Sequence, residues 1–461
     1  MTTLGLDAAA LTTLRGAFSG DVLLPSDRGY DDARAVYNGS VDKHPGLIAQ
    51  CADTADVVQA LAAARSMGLE VSVRGGGHGV LGNALSEGGV VLDLRRMNKV
   101  TVDPDARTAR VGGGATMADL DTATTAHGLA TTGGRVSTTG VGGFTLGGGS
   151  GWLERKYGLA CDNMLAVEMV TADGQILTAD ADHEPELFWA LHGGGGNFGV
   201  VTAFTMRLFP LPDFSVAMFL YEPDAGPEVA RTYRDFIMDA PDECGGGCIF
   251  MTGPPEDFVP PELQGQLACG ALITYAGPVE AVQDLAGPLM AMAPNGAMVA
   301  PVPYQMFQSM LDDPPGMRNY WSAEYLDGLP DEAIDRFCAR AGSMPVPSGC
   351  QHVVFPQGGA MARNAADYPM PWRASPFAVH PFGLWEDAAD DERCIQWVRS
   401  VRADMQPWAS GNVYLNFIGD EGRDRLIAGF GGPDNYARLG AVKAQYDPQN
   451  VFHLNHNIKP A

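Results

Sequence analysis

Basic residues are scarce in this chain. Lys and Arg number 30 against 55 Asp and Glu, a formal net charge of −25 over 461 residues. The deficit runs along the whole sequence rather than being gathered in a tail, and no extended cluster of Lys and Arg offsets it. Binding a phosphate backbone needs such a cluster, so nucleic acid is excluded as a partner. No stretch approaches the ~18 consecutive apolar residues of a membrane span, and no membrane partner is expected. The opening, MTTLGLDAAALTTLRGAF, has neither a basic start nor a continuous apolar run, so it reads as no secretion signal. Cysteine occurs eight times without a repeated spacing. Only Cys244 and Cys248, in ECGGGC, stand close, and no second pair follows at zinc-finger distance. Reduced thiols in a cytoplasmic protein, with no metal, are the expectation.

What is present is a globular composition, 46% hydrophobic, and a length that suits two domains of ordinary size. Residues 53–67, DTADVVQALAAARSM, read as a helix capped by Asp53 or Thr54 and ended by Gly68, with LEVSVR as the next strand. VVLDLRRMNKVTVDPDARTARVGGG reads as strands joined at a DPD turn. In TMADLDTATTAHG, Thr116 and Asp119 stand in a capping-box relation and Gly128 closes the helix. EPELFWAL is a short helix. After it Val200, Thr202, Phe204, Met206 and Leu208 alternate as in a half-buried strand.

Glycine is abundant and unevenly placed. Its 58 residues cluster at 75–77, 112–114, 133–134, 147–149 and 193–196, and nearly half lie between 71 and 210. Beyond FPLPDF the chain turns richer in Pro, Met and aromatics, and near 411 it changes again. Three segments are therefore expected, 1–210, 211–410 and 411–461.

Glycine lets the main chain adopt positive φ and approach a ligand closely, and successive N–H groups in such a turn converge on an anion. In VSVRGGGHGVLGN (71–83) the donors would be Gly75, Gly76, Gly77, His78 and Gly79, with Arg74 as a positive neighbour. No helix follows this loop, so it is not a dinucleotide fingerprint, and no Gly-Lys-Ser/Thr appears for a Walker loop. Five glycine clusters in one region point to a large, elongated, phosphate-bearing cofactor. By default a loop histidine is merely exposed or hydrogen-bonded. His78 has only glycines beside it, so nothing is expected to pack it, and its imidazole is left to the cofactor.

The stretches VRGGGHGVLGNAL, GGRVSTTGVGGFTLGGGSGWLERKYGLACDNM, ELFWALHGGGGNFGVVTAF and YDPQNVFHLNHNI are long and ordered. In them the chain resembles the FAD-linked oxidases of the vanillyl-alcohol oxidase superfamily, in the branch of berberine bridge enzyme and 6-hydroxynicotine oxidase. RNYWSAEYL and FAVHPFGLW match more loosely. The resemblance implies an α+β fold. A PCMH-type FAD-binding domain of two α/β subdomains would come from 1–210 and 411–461, and a substrate domain with an antiparallel sheet covered by helices from 211–410. It also implies FAD bonded through its 8α-methyl carbon to the histidine of the R-G-G-G-H loop, here His78. Doubly linked members carry a cysteine where Val136 stands here, so no cysteinyl link is expected. Cys161 reads as a small core residue.

Cofactor contacts implied by the matching motifs begin with Arg74 to Gly79. They continue with Gly134, Val136, Ser137, Thr138, Gly140, Gly142, Gly143, Gly147, Gly148 and Tyr157, then with Gly199, Val200 and Val201. Tyr414, Asn416 and Asn455 complete the set, Asn457 reads as a similar anchor, and Asn450 shapes the DPQN turn.

Hydride removal from carbon leaves a proton, so a base is expected. His380 falls in PFAVHPFGLW where relatives carry an acidic or amide residue, and Pro381 should break that strand's hydrogen bonding. Read as a strand, NVYLNF puts Asn412, Tyr414 and Asn416 on one face and Val413, Leu415 and Phe417 on the other. Tyr414 and His380 are the candidate bases, with Asn416 beside them. Each also has a plain reading as a hydrogen-bonded core residue.

The expected activity is that of an oxidase acting on a small, apolar or aromatic alcohol or amine, with dioxygen reoxidising the flavin to give hydrogen peroxide. Segments such as VPYQMFQSM and YPMPW would supply an apolar pocket. A dehydrogenase or monooxygenase on the same scaffold, and a non-catalytic flavin-binding protein, stay open at this level. So does the choice between monomer and homodimer.

Overall fold

A computed structural model of the chain describes residues 8–363 and 368–461; residues 1–7, part of the stretch read above for a leader, lie outside the described residues. The chain divides into two compact units. The first comprises Met1–Gly149, Ala160–Phe209 and Phe430–Ala461, the second Ser150–Leu159 and Pro210–Gly429. The return to the first unit thus falls at Phe430 rather than at 411. Packing explains the difference: a Cβ on Gly429 would lie 2.5 Å from Leu415 Cδ2 and 3.0 Å from Val413, so 413–429 close on themselves within the second unit.

Among the described residues the first unit holds two larger sheets. In one, strands β1 (Asp21–Leu23), β2 (Leu47–Gln50), β3 (Val71–Arg74) and β4 (Val90–Asp93) take the order β1-β2-β4-β3, with β2, β4 and β3 parallel. All four residues of β4 are buried, as a central parallel strand requires. The expected helix forms at Thr54–Ser66, where the Asp53 carboxylate accepts the Asp56 N–H. Its Val57, Ala60, Leu61 and Ala64, at helical spacing, meet Leu47, Val71, Val90 and Leu92 in one core.

The other sheet joins β5 (Val100–Asp103), β6 (Thr108–Gly112), β7 (Met164–Val170), β8 (Ile176–Asp180) and β9 (Val200–Arg207) in the antiparallel order β5-β6-β9-β7-β8. Because β9 is central, Val200 to Phe204 are all buried; alternation begins only at Thr205, half-buried, and ends at exposed Arg207. The capping box at Thr116 and Asp119 forms as read, starting the helix Met117–Thr125.

The second unit is built on eight antiparallel strands. They are β10 (Ser215–Tyr221), β11 (Cys244–Thr252), β12 (Leu267–Tyr275), β13 (Gly296–Pro301), β14 (Arg318–Trp321), β15 (Glu324–Leu326), β16 (Gln351–Pro356) and β17 (Phe377–Trp385). Their order is β13-β10-β12-β11-β16-β17-β14, with β15 also on β17. Helices Gly226–Asp239, Asp331–Ala341 and Asp391–Met405 put Tyr233, Ile237, Phe337, Trp397 and Val401 into one core with Phe219, Ile273, Val354 and Val379. Strand alternation turns Phe355, His380 and Phe382 to the opposite face. The molecule is therefore α+β. Among the described residues no helix is long and apolar enough to cross a membrane.

Pro381 does not interrupt β17. Its missing N–H falls where the edge partners change over, β15 pairing as far as Val379 and β14 from Phe382, while Pro381 stays in register with His352 on β16. His352 itself is fully buried. Its Nε2 is 3.0 Å from the Phe337 carbonyl, its Nδ1 has no partner among the described residues, and burial lowers its pKa to about 3. An unfolded histidine takes up a proton near pH 6.5, so between that pH and about 3 the unfolded state binds the extra proton. His352 therefore stabilises the fold fully above pH 6.5 and loses that contribution on acidification, by about 1.4 kcal/mol per pH unit. His352→Gln should show a flatter fall in unfolding free energy between pH 6.5 and 4 than the wild type. Parallel denaturation curves for the two proteins across that range would contradict this.

Candidate functional site

Most of the glycines singled out above stand where main chains touch. A Cβ on Gly76 would lie 2.3 Å from the Gly140 nitrogen, and one on Gly140 2.2 Å from the Gly76 nitrogen. The RGGGHG loop after β3 and the STTGVGG loop thus cross in direct backbone contact. Gly142 similarly backs onto the Gly113 carbonyl at 2.9 Å, and Gly199 onto Met169 and Val170 of β7. Gly134 lies against the Phe144 ring, while Gly147 and Gly148 end the helix Val141–Leu146. Val200 and Val201 are sheet core; the Val136 and Ser137 carbonyls accept from Thr139 and Ala118.

Of the glycines expected to contact the cofactor, two have no such reason. A Cβ added to Gly79 or to Gly143 would meet nothing within 4 Å, and neither residue has a positive φ. Both are exposed, as is Thr138. In the C-terminal tail the Oδ1 atoms of Asn455 and Asn457 are buried with no partner among the described residues, although Asn455 Nδ2 donates to the Phe452 carbonyl. Asn450 does take a left-handed conformation, φ 53°, in its turn. Main-chain surfaces without side chains and unsatisfied buried amide oxygens are what a dinucleotide such as FAD requires, so these residues fit it.

His78 is not unpacked. Its ring stacks on Tyr37, centroids 4.0 Å apart and planes 17° from parallel, and its Nε2 is 2.9 Å from Thr138 Oγ1. Burial lowers its pKa to about 4, so the imidazole is neutral at pH 7. Arg74 is not the expected positive neighbour of a phosphate. Its guanidinium is buried and donates to the Ala33 and Ala35 carbonyls, which fastens the segment before Tyr37 to the end of β3. Tyr37 gave no sequence signal, because nothing in ARAVYNG distinguishes a stacking ring from a surface one.

In the second unit, Tyr414 and Asn416 meet differently from the strand reading. Tyr414 is extended, but Leu415–Phe417 form a 3-10 turn closed by Phe417 N–H donating to the Tyr414 carbonyl at 2.9 Å. The turn swings Asn416 back so that its Nδ2 donates to the Tyr414 hydroxyl at 2.9 Å, and brings the Phe417 ring, expected on the opposite face, to 4.8 Å from the Tyr414 ring. The Ser150 N–H also points at that hydroxyl, at 3.4 Å. Tyr157 is in this unit too. Its hydroxyl donates to the Pro210 carbonyl, and burial raises its pKa to about 12.

His380 lies on β17, buried, with Nδ1 2.8 Å from the Ser322 carbonyl and its ring stacked on Phe417 at 4.2 Å, 3° from parallel. The Nδ1 proton therefore belongs to the Ser322 hydrogen bond and the lone pair to Nε2. Ser322, unremarked in RNYWSAEYL, is fixed by its own hydroxyl donating to Glu421 at 2.6 Å. Ring contacts run from His380 through Phe417 to Tyr414 and Trp372, and through Phe355 to Trp152 and Phe307. The His380 imidazole and the Tyr414 phenol thus lie in one aromatic network.

Comparison with known proteins agrees with this picture. The FAD binding domain family matches residues 45–180, and the berberine and berberine-like family matches 413–459. The chain is 32% identical over 454 residues to (R)-6-hydroxynicotine oxidase of Paenarthrobacter nicotinovorans, spanning 96% of this chain and 97% of that protein. It is 34% identical to an FAD-linked oxidoreductase of Aspergillus terreus, spanning 97% and 95%. The crystal structure of 6-hydroxy-D-nicotine oxidase from Arthrobacter nicotinovorans superposes with a TM-score of 0.84 at 27% identity, covering 96% of this chain and 99% of that one. The chain belongs to the FAD-linked oxidases of the vanillyl-alcohol oxidase superfamily, in the berberine bridge enzyme-like branch. It is an enzyme of the FAD-dependent oxidase class.

The two kinds of glycine predict opposite outcomes. Gly76→Ala forces a methyl into the Gly140 main chain and should destabilise the fold by about 3 kcal/mol or prevent folding. Gly143→Ala meets open space, so the flavin-free protein should keep its stability within about 0.5 kcal/mol while its affinity for FAD falls. Thermal denaturation and FAD titration separate the two; a Gly143→Ala protein with unchanged FAD affinity would remove Gly143 from the cradle.

Proposed function

We propose that this protein oxidises a C–H bond of a small, apolar or aromatic amine or alcohol, with FAD bonded to His78 and dioxygen as the acceptor. One observation carries the reading of substrate and chemistry: His380 and Tyr414 are both in contact with the Phe417 ring, inside a face lined by aromatic side chains. The relative named for 6-hydroxynicotine supports an aromatic amine over a sugar.

FAD, when bound, supplies the two-electron acceptor. The chain's own residues do the rest. Gly79, Thr138, Gly143, Asn455 and Asn457 would hold the dinucleotide. His78, kept neutral by burial and tied at Nε2 to Thr138, would bond through Nδ1. With the imidazole proton on Nε2, facing Thr138, the Nδ1 lone pair would form the bond to the flavin methyl carbon, and the two hydrogens and two electrons lost in attachment would pass to dioxygen as hydrogen peroxide. Tyr414 accepts N–H donors from Asn416 and Ser150, which orient its oxygen, and as the phenolate it would take the substrate proton. His380 Nε2 is the second base, oriented through Nδ1 by Ser322. All eight cysteines are free thiols, which supports a cytoplasmic location.

Acid precipitation followed by peptide mapping tests the linkage. Flavin should stay on the peptide bearing His78 in the wild type and be released entirely from His78→Ala. Aromatic amines and alcohols should reduce the flavin and yield hydrogen peroxide. Tyr414→Phe should lower the flavin-reduction rate by about 100-fold or more at unchanged flavin content. Reduction without peroxide would replace the oxidase reading by a dehydrogenase, and reduction by none of the substrates would leave a flavin-binding protein.

A further inference from the structure

We propose that Tyr37 is a positioning residue, which holds the His78 imidazole in the plane required for attachment to the flavin. The inference rests on the covalent linkage proposed above. His78 stands in a loop whose neighbouring residues, Gly77 and Gly79, offer no side chain against it. Left alone, the ring would turn about both side-chain torsions. Two contacts remove that freedom: the Thr138 hydroxyl holds one edge at 2.9 Å, and Tyr37 covers one face at 4.0 Å and 17°. A stack of this kind suits a nucleophile. The lone pair that attacks carbon lies in the ring plane, so a partner on the face fixes the plane without covering the reacting nitrogen.

Tyr37 is itself held from both sides. Arg74, the residue four before His78, donates to the Ala33 and Ala35 carbonyls. The Tyr37 N–H donates to the Gly77 carbonyl at 3.3 Å, and Asn38 Nδ2, buried, donates to the Val80 carbonyl at 2.9 Å. Each fastening joins Tyr37, or a residue within four of it, to a residue within four of His78. Ala33 and Val36 belong to a hydrophobic core, whereas the half-buried Tyr37 ring lies outside it, against the imidazole.

The test follows attachment rather than turnover. Wild type, Tyr37→Phe, Tyr37→Leu and Tyr37→Met are produced in a riboflavin-starved host, purified, and given FAD. Dissociable binding is read from the flavin absorbance, attachment from the colour retained after acid precipitation, and folding from thermal melting. Tyr37→Phe keeps the stack and should attach flavin at the wild-type rate. Tyr37→Leu and Tyr37→Met should bind FAD and melt like the wild type but attach it about tenfold more slowly. Wild-type rates in both, or a Tyr37→Phe protein as slow as they are, would overturn the role of the ring. Should one of the two fail to fold, the other decides. Complete release of flavin from the wild type is a different result, because it overturns the linkage itself whatever Tyr37 does.

Discussion

The first unit depends on one steric constraint: two loops cross at Gly76 and Gly140 with no room for a side-chain carbon on either. That crossing brings the residues after Gly76 and the residues before Gly140 together, which is why His78 and Thr138, sixty residues apart in sequence, share a hydrogen bond. A glycine here is a packing requirement first. The main-chain surface it leaves bare is a second consequence of the same requirement, and it is this surface that a dinucleotide can use.

The tail that carries Asn455 and Asn457 is fixed by a different force. Lys443, fully buried, donates to the carbonyls of Asn197 and Phe452 and pairs with Asp447 at 2.7 Å. Asn197 in turn donates to the His456 carbonyl and accepts the Ile458 N–H. A buried ammonium is tolerable only with such complete pairing, and losing one partner of a buried pair commonly costs about 3–5 kcal/mol. The second unit repeats the device near its own candidate base. Glu324 and Glu421, both buried, share Arg402 and Arg425, and Glu421 receives the hydroxyl of Ser322, whose carbonyl holds His380. Charge is taken out of water in both places to hold a segment still.

Much of this was legible in the sequence, and the failures have identifiable causes. The helix at Thr54–Ser66, the capping box at Thr116 and the glycine-rich character of the cofactor region follow from local rules. Local rules also misled. Alternating residues in NVYLNF resemble a strand, but the turn at Leu415–Phe417 depends on packing under Gly429 that no short window contains. Arg74 beside a glycine loop looks like a phosphate ligand until the carbonyls of Ala33 and Ala35 are found against it. Tyr37 and Ser322 act through partners 41 and 58 residues away, and contacts of that range leave no periodicity to read.

Burial depresses the basicity of two histidines in much the same way, His352 to about 3 and His78 to about 4. The shift therefore does not mark a site by itself. His352 faces the helix-covered core, between Phe337, Phe250 and Trp397, and its low basicity is only the cost of placing an imidazole there. His78 is half-buried against one tyrosine, beside an exposed threonine and a glycine with open space around it. An imidazole stacked on one ring and hydrogen-bonded at Nε2 is held in one orientation beside the glycine loop; an imidazole set among three core rings is only packed. That difference in surroundings, rather than the perturbed proton affinity, is what makes position 78 chemically distinct.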